Sequence, residues 1–130
     1  MRAFLKNYRQ SPRKVRLAAT YIKGKQATSA LAELSMLNKR AGDPLAKLLA
    51  SAMANAKNNG GVDEQDLYVK DIRVDQGVTL RRSRPRSRGM SNPIRKRSSH
   101  VTVVLEERKH ETRSTKSEKT KTNSKKQRTK

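Results

Sequence analysis

Between Asp75 and Glu106 the chain passes eight basic side chains, Arg81, Arg82, Arg84, Arg86, Arg88, Arg95, Lys96 and Arg97, and meets no acidic one. Both flanks read as strand. Leu67 to Val74 and His100 to Leu105 carry aliphatic residues at period two, most cleanly Val101, Val103 and Leu105. The middle, from Arg81 to Gly89, offers almost nothing apolar to bury. Such a segment cannot fold alone, because its charges repel and no core offsets the entropy of ordering it. The 22 residues from Gln76 to Arg97 also exceed the ~12–15 that a compact domain tolerates as structureless loop. Two extended limbs of about eleven residues are therefore expected, a β-hairpin arm projecting roughly 35 Å. Its tip is expected to fray when no polyanion surrounds it.

The charge is segmented along the chain. Residues 1–25 hold eight basic and no acidic side chains, and the arm repeats that balance. Residues 26–75 hold six and seven, and residues 106–130 hold ten and four. The net +21 thus sits on three segments around a near-neutral middle. That is the footprint of a phosphate-binding surface, where counterion release dominates affinity. Hydrophobic residues are 32% of the chain, below the usual ~45–50%, so one small core and one domain are expected.

That core is legible as helical stripes. Arg2 to Arg9 reads as a short edge strand or extended arm. Ser11-Pro12 supplies an N-cap and a first-turn proline. Val15, Ala18, Ala19 and Ile22 then fall on one face, with Arg13, Arg16 and Lys23 outside it and Gly24 available as a stop. Thr28 is the expected cap of a second helix burying Ala30, Leu31, Leu34 and Leu37. Asp43-Pro44 starts a third, whose apolar spacing from Leu45 to Ala56 ends near Asn58-Asn59-Gly60-Gly61. Whether helices two and three separate or only kink between Asn38 and Asp43 stays open. In the first strand of the arm, Leu67 and Val69 share one phase while Ile72 and Val74 share the other, so a bulge near Lys70-Asp71 is expected to reset the faces. The expected fold is α+β: three helices on a small, mainly antiparallel sheet carrying a long hairpin. Residues 1–108 are expected to form one RNA-binding domain with 76–97 as the arm, and 109–130 a disordered basic tail.

Catalytic chemistry is not offered. Cysteine is absent, which excludes disulfides, thiolate metal sites and cysteine nucleophiles. His100 sits in a strand and His110 in the tail, neither at ligand spacing to a partner, and Asp63, Glu64 and Asp66 read as a solvated turn. Gly60-Gly61 lacks the Lys-Ser/Thr that a phosphate loop needs. No catalytic residue, metal or cofactor is assigned. No apolar run reaches the ~18 residues of a membrane span, and the basic arm has no large apolar face opposite its charge, so no membrane partner is expected. Met1-Arg2-Ala3-Phe4 leads straight into structure, so a cytoplasmic location without a cleaved leader is the expectation.

Arginine supplies seven of the arm's eight cations. Guanidinium groups bind phosphate bidentately and stack on bases, whereas the tail favours lysine mixed with Glu111 and Glu118. No Phe, Trp or Tyr follows Tyr68, which disfavours base-stacking platforms and favours recognition of folded RNA by shape and backbone. The RNA-binding candidates are Lys6, Arg9, Arg13, Lys14, Arg16, Lys23 and Lys25 at the N-terminal end, with Arg81, Arg82, Arg84, Arg86, Arg88, Arg95, Lys96 and Arg97 in the arm. A DNA-compacting protein is the rival reading, and an RNA-modifying enzyme is disfavoured by the missing constellations.

Four motifs, in order, resemble the bacterial-type large-subunit ribosomal protein L-twenty-two family over residues 2–106. They are Ser11-Pro12-Arg13-Lys14-Val15-Arg16-Leu17, Ala54-Asn55-Ala56-Lys57-Asn58-Asn59, Pro85-Arg86-Ser87-Arg88-Gly89, and the run from Lys96 to Val104. The resemblance implies a domain on the large subunit that binds its main RNA, assists assembly and touches neighbouring ribosomal proteins. It implies that the chain is not a homo-oligomer. It also implies that the hairpin tip, taken as Leu80, Arg81, Arg82, Arg84, Pro85, Arg86, Arg88, Gly89 and Met90, lines the nascent-peptide exit tunnel and meets the nascent peptide. Met90-Ser91-Asn92-Pro93 departs from the family, which usually continues after Gly89 with a basic and a small residue.

Overall fold

The period-two segments become three antiparallel strands, β1 (Arg2–Tyr8), β2 (Leu67–Pro85) and β3 (Ser91–Glu107), in the order β1-β3-β2. This is a computed structural model, and it describes residues 1–108. The expected basic tail, with His110, lies outside the described residues. Three helices, α1 (Pro12–Ile22), α2 (Ala27–Met36) and α3 (Gly42–Gly60), are inserted between β1 and β2 and cover one face of the sheet.

Alternation along β3 explains which face. Val101, Val103 and Leu105 are buried, while Thr102 and Val104 are only half-buried. Opposite them on β2 stand Val74, Ile72 and Val69. Val69 and Ile72 are three apart, so they share a face only because Lys70 is an extra residue: Val69 pairs with Leu105 and Asp71 with Val104. The expected bulge is present, and it resets the phase. The stripes Val15, Ala18, Ala19 and Ile22 of α1 and Leu45, Leu49, Ala52 and Ala56 of α3 close the core from above. Ile22, Leu34, Leu45, Leu49, Leu67 and Leu105 are fully buried. Each such side chain contributes roughly 1.5–3 kcal/mol of transfer free energy.

Local signals set some helix ends and tertiary contacts set others. Ser11 is the N-cap of α1 and Pro12 its first residue, although the Ser11 hydroxyl makes no capping bond. Gly61 ends α3 in the left-handed conformation, its N–H donating to the Lys57 carbonyl at 3.1 Å. Helix α2 starts earlier than Thr28 suggests, with Gln26 as cap. Gln26 is held extended by a bridge to Tyr68, and the preceding Gly24 and Lys25 exchange backbone bonds with Val69 at 2.8 and 2.9 Å. Pairing to β2 therefore decides where α2 begins. Helix α3 starts at Gly42, ahead of Asp43, and is separate from α2. A Cβ at Gly42 would meet the Leu34 carbonyl at 2.9 Å, so glycine lets α3 start against the end of α2. Asp43 then lies in the first turn, where its charge complements the helix dipole.

Candidate nucleic-acid interface

β1 ends at Tyr8, so beyond Ser99 only β2 and β3 continue, and they form the arm. Its root is a junction of two bulges. On β1, Leu5 pairs with Val101 and Tyr8 with Ser99, which leaves Lys6 and Asn7 against His100. On β2, Gln76 pairs with Ser99 and Thr79 with Arg97, which leaves Gly77 and Val78 against Ser98. Asn7 takes a left-handed φ of 56°, a conformation asparagine tolerates. Its N–H donates to His100 Nδ1 at 3.1 Å. The Ser98 hydroxyl donates to the Val78 carbonyl at 2.7 Å, and the Ser99 hydroxyl to the Gln10 carbonyl at 3.1 Å. A Cβ at Gly77 would lie 2.5 Å from Ser98 Oγ and 3.0 Å from His100 Nε2, so any larger residue must displace the Ser98 hydroxyl. This polar knot fixes the direction in which the arm leaves the domain.

Along the shaft the ladder runs unbroken from Thr79–Arg97 to Pro85–Ser91. Directly paired residues share a face. Thr79, Arg97, Arg81, Arg95, Ser83 and Pro93 lie on one side, and Leu80, Lys96, Arg82, Ile94, Arg84 and Asn92 on the other. Every residue from Leu80 to Arg97 is exposed. Pro93 lacks an N–H to donate, but it pairs only with Ser83, and the other edge of β3 is free there; edge positions tolerate proline. The turn is Arg86–Met90, closed by Arg86 N–H donating to the Met90 carbonyl at 2.7 Å. Arg88 and Gly89 both take left-handed φ, 57° and 69°. Of the residues assigned to the tip, Pro85, Arg86, Arg88, Gly89 and Met90 are at the turn. Leu80, Arg81, Arg82 and Arg84 stand on the shaft, Leu80 roughly 15–20 Å back from the turn at ~3.3 Å per residue.

The structure divides the candidate cations by what neutralises them. Among the described residues, no ion pair involves the arm's Arg81, Arg82, Arg84, Arg86, Arg88, Arg95, Lys96 or Arg97. The exposed Lys6, Arg9, Arg13 and Lys14 have no carboxylate partner among those residues either. Ser99 ties the Gln10 carbonyl to β3, so Arg9 and the start of α1 sit beside the arm root. By contrast, Lys23 pairs with Asp71 at 2.7 Å, and Lys25 pairs with Glu33 and lies 4.0 Å over the Tyr21 ring. Arg16 sends Nε and Nη2 to the Val74 carbonyl at 3.1 and 2.9 Å, fastening α1 to β2. These three serve the fold first.

Away from the arm carboxylates and cations are mixed. At the opposite end of the strands a concavity of about 810 Å³ is lined by Asp66, Tyr68, Glu106, Glu107 and Arg108, among others. Hydrogen bonds from Lys70 and then Tyr68 hold the Glu106 carboxyl below its ordinary 4.5. The hydrogen bond from Lys23 holds Asp71 below 3.8. Both carboxylates are thereby kept ionised, and each is matched by a lysine, Asp71 by Lys23 and Glu106 by Lys70. No three His, Asp or Glu gather as a metal site among the described residues, and none of the described helices is long and apolar enough to cross a membrane.

Sequence reasoning missed the root. Gly77 inside a strand pattern was an available signal for a bulge or close approach. Ser98 and Ser99 gave none, since their roles depend on cross-strand register.

Comparison with known proteins adds a family. The model of the family described as Ribosomal protein L22p/L17e matches residues 3–106. "Large ribosomal subunit protein uL22" of Mesoplasma florum is 50% identical over 104 residues, 80% of this chain and 93% of that protein. The protein of the same name from Mycoplasma capricolum is 49% identical over 108 residues, 83% of this chain and 97% of its own. That of Acetivibrio thermocellus is 50% identical over 107 residues, 82% and 86% respectively.

Proposed function

The chain belongs to the ribosomal protein L22p/L17e family, structural and non-catalytic constituents of the large ribosomal subunit, and on that premise we propose that it holds large-subunit rRNA together by charge. The observation that carries this reading is the arm: eight exposed cations, six on a two-stranded ladder and two in its turn, with no carboxylate partner among the described residues. In water such a ladder repels itself. Packed among phosphates, it neutralises strands that would otherwise repel one another. Arg9, Arg13 and Lys14 extend the contact onto the domain, with Lys6 beside the root. The protein works as a single copy on cytoplasmic ribosomes, against rRNA and neighbouring ribosomal proteins, and supports subunit assembly. The turn, Arg86 to Met90, reaches inward as part of the exit-tunnel wall and meets the nascent peptide.

The test replaces Arg81, Arg84, Arg86 and Arg88 together by Ala. Domain melting stays unchanged, while affinity for large-subunit RNA falls and its salt dependence becomes shallower. Loss of domain stability, or unchanged RNA affinity, contradicts the reading. Release from ribosomes into a DNA-bound fraction in a salt wash would favour DNA compaction instead. For the tunnel wall, a photoreactive residue at Met90 should crosslink to a stalled nascent chain; crosslinks to RNA alone would count against it.

A further inference from the structure

We propose that Arg81, Arg95 and Arg97 form a clamp for a single RNA backbone phosphate at the base of the arm, a site that rests on the rRNA-binding reading and gives it one defined contact. The side-chain phase that buries Leu105, Val103, Val101 and Ser99 under the helices continues along β3 to Arg97 and Arg95. Where helical cover ends, guanidinium groups take over the same face. Across the ladder Thr79 pairs with Arg97 and Arg81 with Arg95. Three guanidiniums therefore converge within two rungs, and with Gln76 and Thr79 they line a concavity of about 250 Å³.

Arg81–Arg95 is the one directly opposed like-charge pair in the shaft. Directly opposite Cβ atoms lie about 4.5–5.5 Å apart, and like charges at that spacing destabilise a hairpin. Elsewhere the shaft avoids the clash: Arg82 faces Ile94, Arg84 faces Asn92 and Lys96 faces Leu80. The exception makes physical sense with an anion between the two groups, since each guanidinium fork can give two N–H bonds to phosphate oxygens. The three guanidinium groups of the lining are donors only, and no carboxylate lines the concavity. Gln76 Nε2 donates to Thr79 Oγ1 at 3.4 Å, which leaves the threonine hydroxyl hydrogen for a ligand oxygen. The root anchors one side of the site, because Ser98, bonded to Val78, immediately follows Arg97.

The test uses the full chain in low-salt buffer at neutral pH, following arginine Nε–Hε signals by NMR during titration with inorganic phosphate. The signals of Arg81, Arg95 and Arg97 should move together and saturate at one phosphate per chain. Arg95→Gln should abolish saturation, and Arg84→Gln on the opposite face should not. Uniform, unsaturable shifts over all arm arginines would overturn the clamp and indicate a diffuse ion atmosphere. In parallel, binding to large-subunit RNA is measured against salt. Arg95→Gln should lower the slope of log K on log salt by roughly 0.7–0.9, one contact's share, and an unchanged slope also overturns the clamp. If wild-type protein shows no preference for that RNA, the rRNA reading itself fails, which separates the two outcomes.

Discussion

Lys70 and Arg97 belong to the same pair of strands, yet Lys70 has the Glu106 carboxylate at 2.8 Å and Arg97 has no carboxylate partner among the described residues. Several other cations of the domain repeat the contrast, while Arg9, Arg13 and Lys14 are like the arm in having no carboxylate partner among the described residues. In the domain, Lys23, Lys25, Lys57, Lys70 and Arg73 all sit within reach of Asp or Glu, and apolar burial does most of the stabilising. In the arm, neither a core nor a counter-charge is present, and a two-stranded hairpin alone is at best marginal in water. The domain has its own core, and the proposed function makes the arm half of an interface. The other half, on this account, is phosphate.

Substitutions can break or sharpen that contrast. Leu49→Ala should have the largest effect, a loss of about 2–5 kcal/mol of domain stability in a urea melt, because Leu49 is fully buried in α3. Protein that remains folded should bind RNA as before, since the arm draws nothing from that core. Gly77→Ala tests the boundary. Its Cβ would strike Ser98 Oγ at 2.5 Å, and overpacking of this kind costs about 1–3 kcal/mol. The ladder above the root should lose register with the domain, read by cross-strand NOEs between Gln76 and Ser99. Ser99→Ala removes the bond to the Gln10 carbonyl and should cost about 1 kcal/mol in the same melt. RNA affinity should fall more in this variant than stability predicts, because the basic start of α1 loosens from the arm.

Acid should produce the smallest change, and in the domain only. Asp71 and Glu106 are held below their ordinary 3.8 and 4.5. A lowered folded pKa contributes stability above the unfolded value, and that contribution is lost as pH falls through the folded one. Melting temperature should therefore slip below about pH 4.5, modestly, because both pairs are solvent-screened. In the alkaline range Lys70 and Tyr68 are raised above 10.5 and 10.0, so their contribution disappears as pH climbs past those values. Lys70→Met should flatten the acid limb. An equally steep limb in that variant would place the sensitivity elsewhere.

What the sequence made legible was local. Ser11-Pro12 opened α1, Gly61 ended α3, the stripes found the core, and the phase change at Lys70 located its bulge. The arm and its charge were equally plain, since neither depends on distant partners. Helix starts at Ala27 and Gly42 were not, because strand pairing and a close carbonyl set them. Lys23, Lys25 and Arg16 looked like free cations. Their partners, Asp71, Glu33 and the Val74 carbonyl, come from elsewhere in the chain, and only the fold brings them near. The root escaped for the same reason: two bulges on different strands meet at Ser98–His100 only once register is known.

Amide hydrogen exchange, with and without large-subunit RNA, tests most directly that phosphate completes the arm. In the free protein, amides of Val101, Val103 and Leu105 should be protected while those from Thr79 to Arg97 exchange fast, and RNA should slow the second group specifically. Arm amides as slow as the core's before any polyanion is added would contradict the account.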